Sequence, residues 1–211
     1  MARRRIGTTI CAVLGLMVGF CFSPGMAGDA SAKVKVSVKT TYYPISGKSG
    51  KALNASMLRG GSNRISLSHA VAATETELDF GEPKISIKKG KCIVEDVDVY
   101  LKIRYIYPKW KGRGAAKTQV RKRWDAFWRE LKRHEENHGE IAKAGAKALE
   151  KELMRMKGNV ALGCADFGGF ARLRLDAIIR KTARAQRNFD RREYAASSKI
   201  SRLQRLLYEA R

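Results

Sequence analysis

Two histidines four residues apart, His134 and His138, enclose the stretch His134-Glu135-Glu136-Asn137-His138. On a helix, residues at i and i+4 share a face one turn apart. Two neutral imidazoles at that spacing can bind one Zn²⁺. Glu135 follows the first histidine, where its carboxylate can reach a water activated by the metal. Such a water has its pKa lowered towards about 7. Glu135 would take its proton during attack on a polarised carbonyl, then return the proton to the leaving group. In a chain of this size the pattern arises by chance on the order of one per cent of the time or less. Here it uses two of the three histidines present. The competing reading is two core-facing histidines satisfied by polar neighbours, beside a surface glutamate.

A catalytic zinc takes three protein ligands and keeps one position open. The third ligand is not part of the motif. The extended pattern H-E-x-x-H-x-x-G-x-x-H is absent, because Gly139 sits at the wrong offset and no later histidine exists. His69 lies in a strand-like segment with Leu67 and Val71, where packing or substrate contact is as natural as ligation. Glu140 is too close in sequence to His138. Asp190 is the first candidate and Glu193 the second, on a late helical stretch that can approach the motif. The competing reading for Asp190 is a solvated carboxylate among arginines.

The motif needs a rigid support, and its surroundings provide one. From about Ala116 to Lys157 there is no proline and only Gly139 and Gly145. Trp124, Phe127, Leu131, His134, His138, Ile141, Gly145 and Leu149 step by three and four, one face of a long helix. Both histidines therefore face a partly buried site. Gly158-Asn159 and Gly163-Cys164 mark a connection, and a last helical stretch runs from about Phe170 through Leu207. Its dense arginines (Arg184, Arg187, Arg191, Arg192) line a solvated face.

The first half reads as strands. Val34, Val36 and Val38 alternate with Lys35, Ser37 and Lys39, the period of a half-buried strand. Lys51 to Leu58 can form one short helix. Ile65 and Leu67 alternate with serines, and Ile85 and Ile87 alternate again before a hairpin turn at Lys88-Lys89-Gly90-Lys91. The longest strand signal is Val97, Val99, Leu101, Ile103 and Tyr105, ended by Pro108 and the loop Lys111-Gly112-Arg113-Gly114. The expected class is α+β: an N-terminal antiparallel sheet, then the long motif-bearing helix and a C-terminal helix, in a zincin-like arrangement. Residues 33–211 form one domain, mainly strands over 33–110 and mainly helices over 116–211.

Residues 1–32 read as a secretory signal. Arg3-Arg4-Arg5 precede an apolar run from Ile10 to Phe22, and Ala27 or Ala32 ends a small-residue cleavage region. The run is shorter than the roughly 18–20 apolar residues that span a bilayer, which disfavours an uncleaved anchor. No later run is long enough to span. The expected location is periplasmic or secreted. Two of the four cysteines lie in the signal; Cys92 and Cys164 remain. In an oxidising compartment they are a natural pair, the alternative being two free buried thiols. The formal charge is +23, and +21 without residues 1–32, which carry three arginines and one aspartate. Such a protein is drawn to anionic envelope polymers and surfaces. No specific nucleic-acid partner is expected.

The chain resembles a bacterial domain family of unknown function described as predicted secreted zinc-dependent proteases. The resemblance runs from about Thr41 to Tyr194. It is carried by Tyr42-Tyr43-Pro44-Ile45-Ser46-Gly47, Ala72-Ala73-Thr74, Cys92 before the long strand, Pro108-Lys109-Trp110, and Trp124 through Leu131. His134 through Ala142, Cys164 and Gln186 with Phe189-Asp190 complete it. It implies a Cys92–Cys164 pair. It also implies a His-Gly shortly after the Tyr-Asp that corresponds to Phe189-Asp190; here Ala195-Ala196 stand in that region. If that histidine is the third ligand, this chain has lost it, and zinc binding is then weak or leans on Asp190 or Glu193.

These features point to an exported zinc-dependent hydrolase, a metallopeptidase with a peptide or protein substrate and Glu135 as general base. Two alternatives stand beside it. One is a non-catalytic basic envelope protein that binds anionic cell-surface polymer. The other is a zinc amidase acting on cell-wall peptides.

Overall fold

The computed structural model describes residues 33–62, 71–159 and 164–211. The signal segment, His69 and the Ile65–Leu67 alternation lie outside the described residues. Three strands, β1 (Val34–Ser46), β2 (Ala73–Phe80) and β5 (Val99–Lys111), form the main sheet in the order β1-β5-β2. A smaller sheet has the order β3-β4-β6, from Lys84–Lys88, Lys91–Asp96 and Lys157–Asn159. Helices are α1 (Gly50–Ser62), α2 (Thr118–Met154), α3 (Phe167–Glu193) and α4 (Lys199–Tyr208). The class is α+β, as the sequence implies.

The main sheet is mixed rather than antiparallel: β2 runs antiparallel to β5, but β1 runs parallel to it. Helix α1 follows β1 and carries the chain off the sheet, so β1 is free of the hairpin constraint that forces antiparallel neighbours. Strand β5 also continues through Pro108. Val99 donates its N–H towards β1, to the Lys33 carbonyl. Nine residues on, the Pro108 nitrogen faces the opposite side. There β2 has already ended, its Ala73 pairing with Ile106. A missing donor at a free edge breaks no ladder bond.

The alternation in β1 does not bury its valines. Val36 and Val38 are 42% and 54% exposed, while Tyr43 and Ile45 are the residues that reach the core. In-register neighbours share a face, and Val36 and Val38 pair with Leu101 and Ile103. Helix α2 covers the latter and leaves the edge strand open. Tyr107 packs edge-on against Trp128 of α2, at 5.1 Å between ring centres, and Trp110 against Trp124 at 5.6 Å. On the other side α1 buries Leu53 and Met57, and the Tyr43 hydroxyl donates to the Val71 carbonyl at 2.6 Å.

The β3–β4 hairpin turns where expected. Lys89 and Gly90 have φ of 51° and 71°, the pair of left-handed residues that a two-residue turn of matching twist needs. Strand β6 lies in the half expected to be helical. It pairs with β4, and the chain after it brings Cys164 to Cys92 in a disulfide with Cα atoms 5.9 Å apart. A crosslink across 72 residues stabilises by about 4 kcal/mol in the chain-entropy model. The last helical stretch is also two helices, broken before α4. Ser198 caps the second, its hydroxyl accepting from the Ser201 N–H at 3.3 Å.

Candidate metal centre

Helix α2 presents the motif as its period requires. His134 is 1% exposed, Glu135 is 3% exposed and His138 is partly buried. Helix α3 lies across α2 and brings Asp190 to both histidines. The Oδ1 of Asp190 is 2.8 Å from His138 Nε2 and 3.2 Å from His134 Nε2, and the two Nε2 atoms are 3.1 Å apart. Two imidazole nitrogens and a carboxylate oxygen thus form a small triangle. Its edges are close to the roughly 3.3 Å between ligand atoms held at about 2.0–2.1 Å in a tetrahedral zinc site.

The hydrogen bonds around His138 decide what this triangle can hold. Gln186, one turn before Asp190, donates its amide N–H to the His138 carbonyl at 3.0 Å. That contact orients the amide, because a backbone carbonyl only accepts. Gln186 Oε1 therefore faces His138 Nδ1 in a short contact, and Nδ1 must carry the proton. In the neutral ring the Nε2 lone pair then points at Asp190 and His134 Nε2. With His134 Nε2 unprotonated as well, these acceptors at 2.8–3.2 Å would repel unless a cation or a proton lay among them. The donor set fits a small divalent metal of the zinc type.

The electrostatics agree. Burial alone would raise the Asp190 carboxyl; the hydrogen bonds and charges of His134 and His138 outweigh it and hold the group well below the ordinary carboxylate range. Burial works to lower His138, but contact with Asp190 and Gln186 outweighs it, so its pKa is raised. The cluster takes up a proton where it could take up a metal.

Glu193, the second candidate ligand, lies elsewhere. Its carboxylate pairs with Arg133, which also binds the buried Glu130. Its nearest approach to the histidines is 3.9 Å, to His134 Nδ1. That nitrogen is buried without a hydrogen-bond partner among the described residues. Phe189 stacks on the His134 ring at 4.9 Å, and Tyr194 meets it edge-on at 4.8 Å. Ala195 and Ala196 are exposed beyond the end of α3, and Asp190 stands in the third position of the triangle.

Glu135 is fixed from the sheet. Thr74 on β2 donates to its Oε2 at 2.7 Å and lies 3.0 Å from its carbonyl oxygen. Burial raises the Glu135 pKa; the Thr74 hydrogen bond and the nearby imidazoles offset only part of that. A carboxylate poised to accept a proton results. Glu135, both histidines and Asp190 line one cavity of about 770 Å³ between β2, α2 and α3. Among the described residues β2 pairs with β5 alone, so its outer edge flanks this cavity unpaired.

Sequence reasoning placed the motif and Asp190, but named Thr74 and Gln186 only among the residues that carry the resemblance and gave them no role at the site. Both left a signal. Thr74, Thr76, Leu78 and Phe80 alternate strictly with Glu75, Glu77 and Asp79, and Gln186 stands four residues before Asp190 on the same helical face.

A family model described as bacterial protein of unknown function (DUF922) matches residues 40–196. No curated protein and no solved structure matches the chain.

Proposed function

The chain belongs to this bacterial family of unknown function, and on the geometry of its site we propose that it is an exported zinc-dependent hydrolase, a metallopeptidase. One observation carries the reading. His134, His138 and Asp190 converge from two helices, with buried Glu135 beside them, in a single cavity.

His134, His138 and Asp190 would hold the metal. A zinc ion bound there supplies a Lewis acid for a carbonyl and makes a neighbouring water more acidic. Glu135 would take the proton of the attacking water and give it to the departing amine. Thr74 holds the Glu135 carboxylate in place for both transfers. The free edge of β2 can take an extended peptide by main-chain hydrogen bonding, which lays its carbonyls along the cavity. The Cys92–Cys164 disulfide supports an oxidising compartment, periplasmic or extracellular. Among the described residues no helix is long and apolar enough to cross a membrane. A zinc amidase acting on cell-wall peptides would use the same residues, and the substrate separates the two.

The test is the metal content of the purified protein beside His138→Ala, together with turnover of a peptide and amide pool. One zinc per wild-type chain, lost in the variant, with hydrolysis abolished by Glu135→Gln, is the expected result. A wild-type protein that binds no zinc at any ratio would overturn the reading.

A further inference from the structure

Helix α3 has two stripes. Ala171, Leu175, Ile178, Thr182, Gln186 and Asp190 step by three and four along the inward one, which ends in the metal site. The opposite stripe runs through Phe170, Leu173, Ala177, Lys181, Arg184 and Arg191. All six are exposed, Phe170 by 51% and Leu173 by 63%. Arg180, Arg187 and Arg192 flank the stripe and are exposed too.

None of the six basic residues from Arg180 to Arg192 forms an ion pair among the described residues; on α3 only Arg172 and Arg174 do so, with Asp79 and Glu152. The helix has three acids, of which Asp190 and Glu193 face inward and Asp176 alone is exposed. Like charges three and four apart on a helix repel, so Lys181–Arg184 and Arg187–Arg191 work against α3. Packing does not require them. A polyanion laid along the helix would relieve the repulsion. Two large apolar side chains on the same line as the cations distinguish one polyanion from another. They have nothing to bury against on a hydrated polymer, but they enter the acyl boundary of a bilayer while the arginines meet its headgroups.

We propose that the outward face of α3 docks this protein on an anionic lipid surface, with Phe170 and Leu173 inserted and the Lys181–Arg192 cations on the headgroups. The cavity lies on the other side of the same helix, so docking sets the active face at a fixed distance from the membrane. This inference stands apart from the hydrolase reading and holds whether or not the site turns over.

The experiment is flotation of the purified protein with vesicles of equal parts phosphatidylglycerol and phosphatidylcholine, beside phosphatidylcholine alone, across a salt series. Binding to the anionic vesicles that falls with salt is expected. Lys181→Ala/Arg184→Ala/Arg191→Ala should weaken it about 100-fold, since each basic residue near such a surface contributes about fivefold. Lys39→Ala/Lys48→Ala/Lys91→Ala removes the same charge from other exposed positions and should change it less than threefold. Phe170→Ser/Leu173→Ser should weaken binding at least tenfold with the charge intact; if the triple α3 variant fails to fold, this exposed pair carries the test. Equal losses in the two lysine and arginine triples would overturn the proposal as a net-charge effect. Unchanged vesicle binding in the Phe170/Leu173 variant would overturn it in favour of a soluble polyanion.

Discussion

Gln186 grips His138 at two points, donating to its backbone carbonyl at 3.0 Å and accepting from its Nδ1. The first contact sets the orientation of the amide, and the second sets the tautomer of the ring. Both partners come from helices that also carry candidate ligands: Gln186 precedes Asp190 by one turn, and His138 follows His134 by one turn. The docking of α3 on α2 therefore determines ring orientation and ligand spacing together.

Gln186→Ala should weaken zinc binding about 10- to 100-fold, the usual effect of removing a residue that orients a ligand. Gln186→Glu keeps an acceptor for the Nδ1 proton and should retain most of the affinity. Competition against a chromogenic chelator measures both. Wild-type affinity in the alanine variant would show that His138 needs no such support.

Asp190 and Glu193 separate cleanly. Asp190→Ala removes one corner of the triangle and should abolish stoichiometric zinc after dialysis. Glu193→Gln should retain the metal, because its carboxylate is committed to Arg133. It should instead lower the melting temperature by a few degrees, since Arg133 loses one of its two acidic partners. Metal loss in the Glu193 variant with retention in the Asp190 variant would reverse the ligand assignment.

Glu135→Gln should lose turnover by at least about 10²-fold while binding zinc. It should also be more stable than wild type in the metal-free state at pH 7. Burial raises the folded-state pKa of Glu135. A group so raised contributes its stability below its unfolded value, about 4.3, and loses it as pH rises through the folded value. At neutral pH the wild type has therefore lost stability that glutamine, which does not titrate, keeps. The melting temperatures should converge as the pH falls below about 4. A variant less stable than wild type at pH 7 would contradict this account.

The helix carrying the site was legible because its signal is local. Rare residues stood at helical spacing inside an apolar stripe, and Asp190 fell on the inward stripe of a second helix. Strand β2 was equally legible in its strict alternation but passed unread. Other features are not local. Alternation in β1 shows which residues share a face, not whether a helix covers it, and Val36 and Val38 stay exposed for that reason. The parallel pairing of β1 with β5 depends on the path of α1, and the partner of β6 lies more than sixty residues away. Gln186 was within reach from its offset to Asp190; its double contact with His138 depends on how the two helices cross.

Zinc affinity should fall as the solution is acidified from pH 8 to pH 5. A metal ligand must be an unprotonated imidazole, and His138 holds its proton above the ordinary histidine range because Asp190 and Gln186 stabilise the charged ring. Competition by the His138 proton therefore begins above pH 6.5. Dissociation constants at four pH values, in a buffer that does not bind zinc, test it. An affinity flat between pH 8 and pH 6 would place the metal elsewhere.

The last prediction concerns the approach of the two helices. A Cβ on Gly145 would collide with the Thr182 hydroxyl, and its next contact, with Thr182 Cγ2, would be 3.4 Å. Glycine mid-helix costs about 1 kcal/mol relative to alanine, so its presence here reflects the close crossing of α3. Thr182 can rotate away from a single methyl, and Gly145→Ala should be nearly neutral in stability. Gly145→Val cannot be absorbed that way. It should push α3 outward and carry Asp190 and Gln186 with it, lowering zinc affinity by an order of magnitude or more. Thr182→Ala makes room, so Gly145→Ala added to Thr182→Ala should raise the melting temperature by about 2–4 °C for a gain near 1 kcal/mol. The double-variant cycle separates the two terms: helix propensity remains when Thr182 is gone, and the collision does not. If Gly145→Val binds zinc as the wild type does, the crossing of α2 and α3 does not set the spacing of the site.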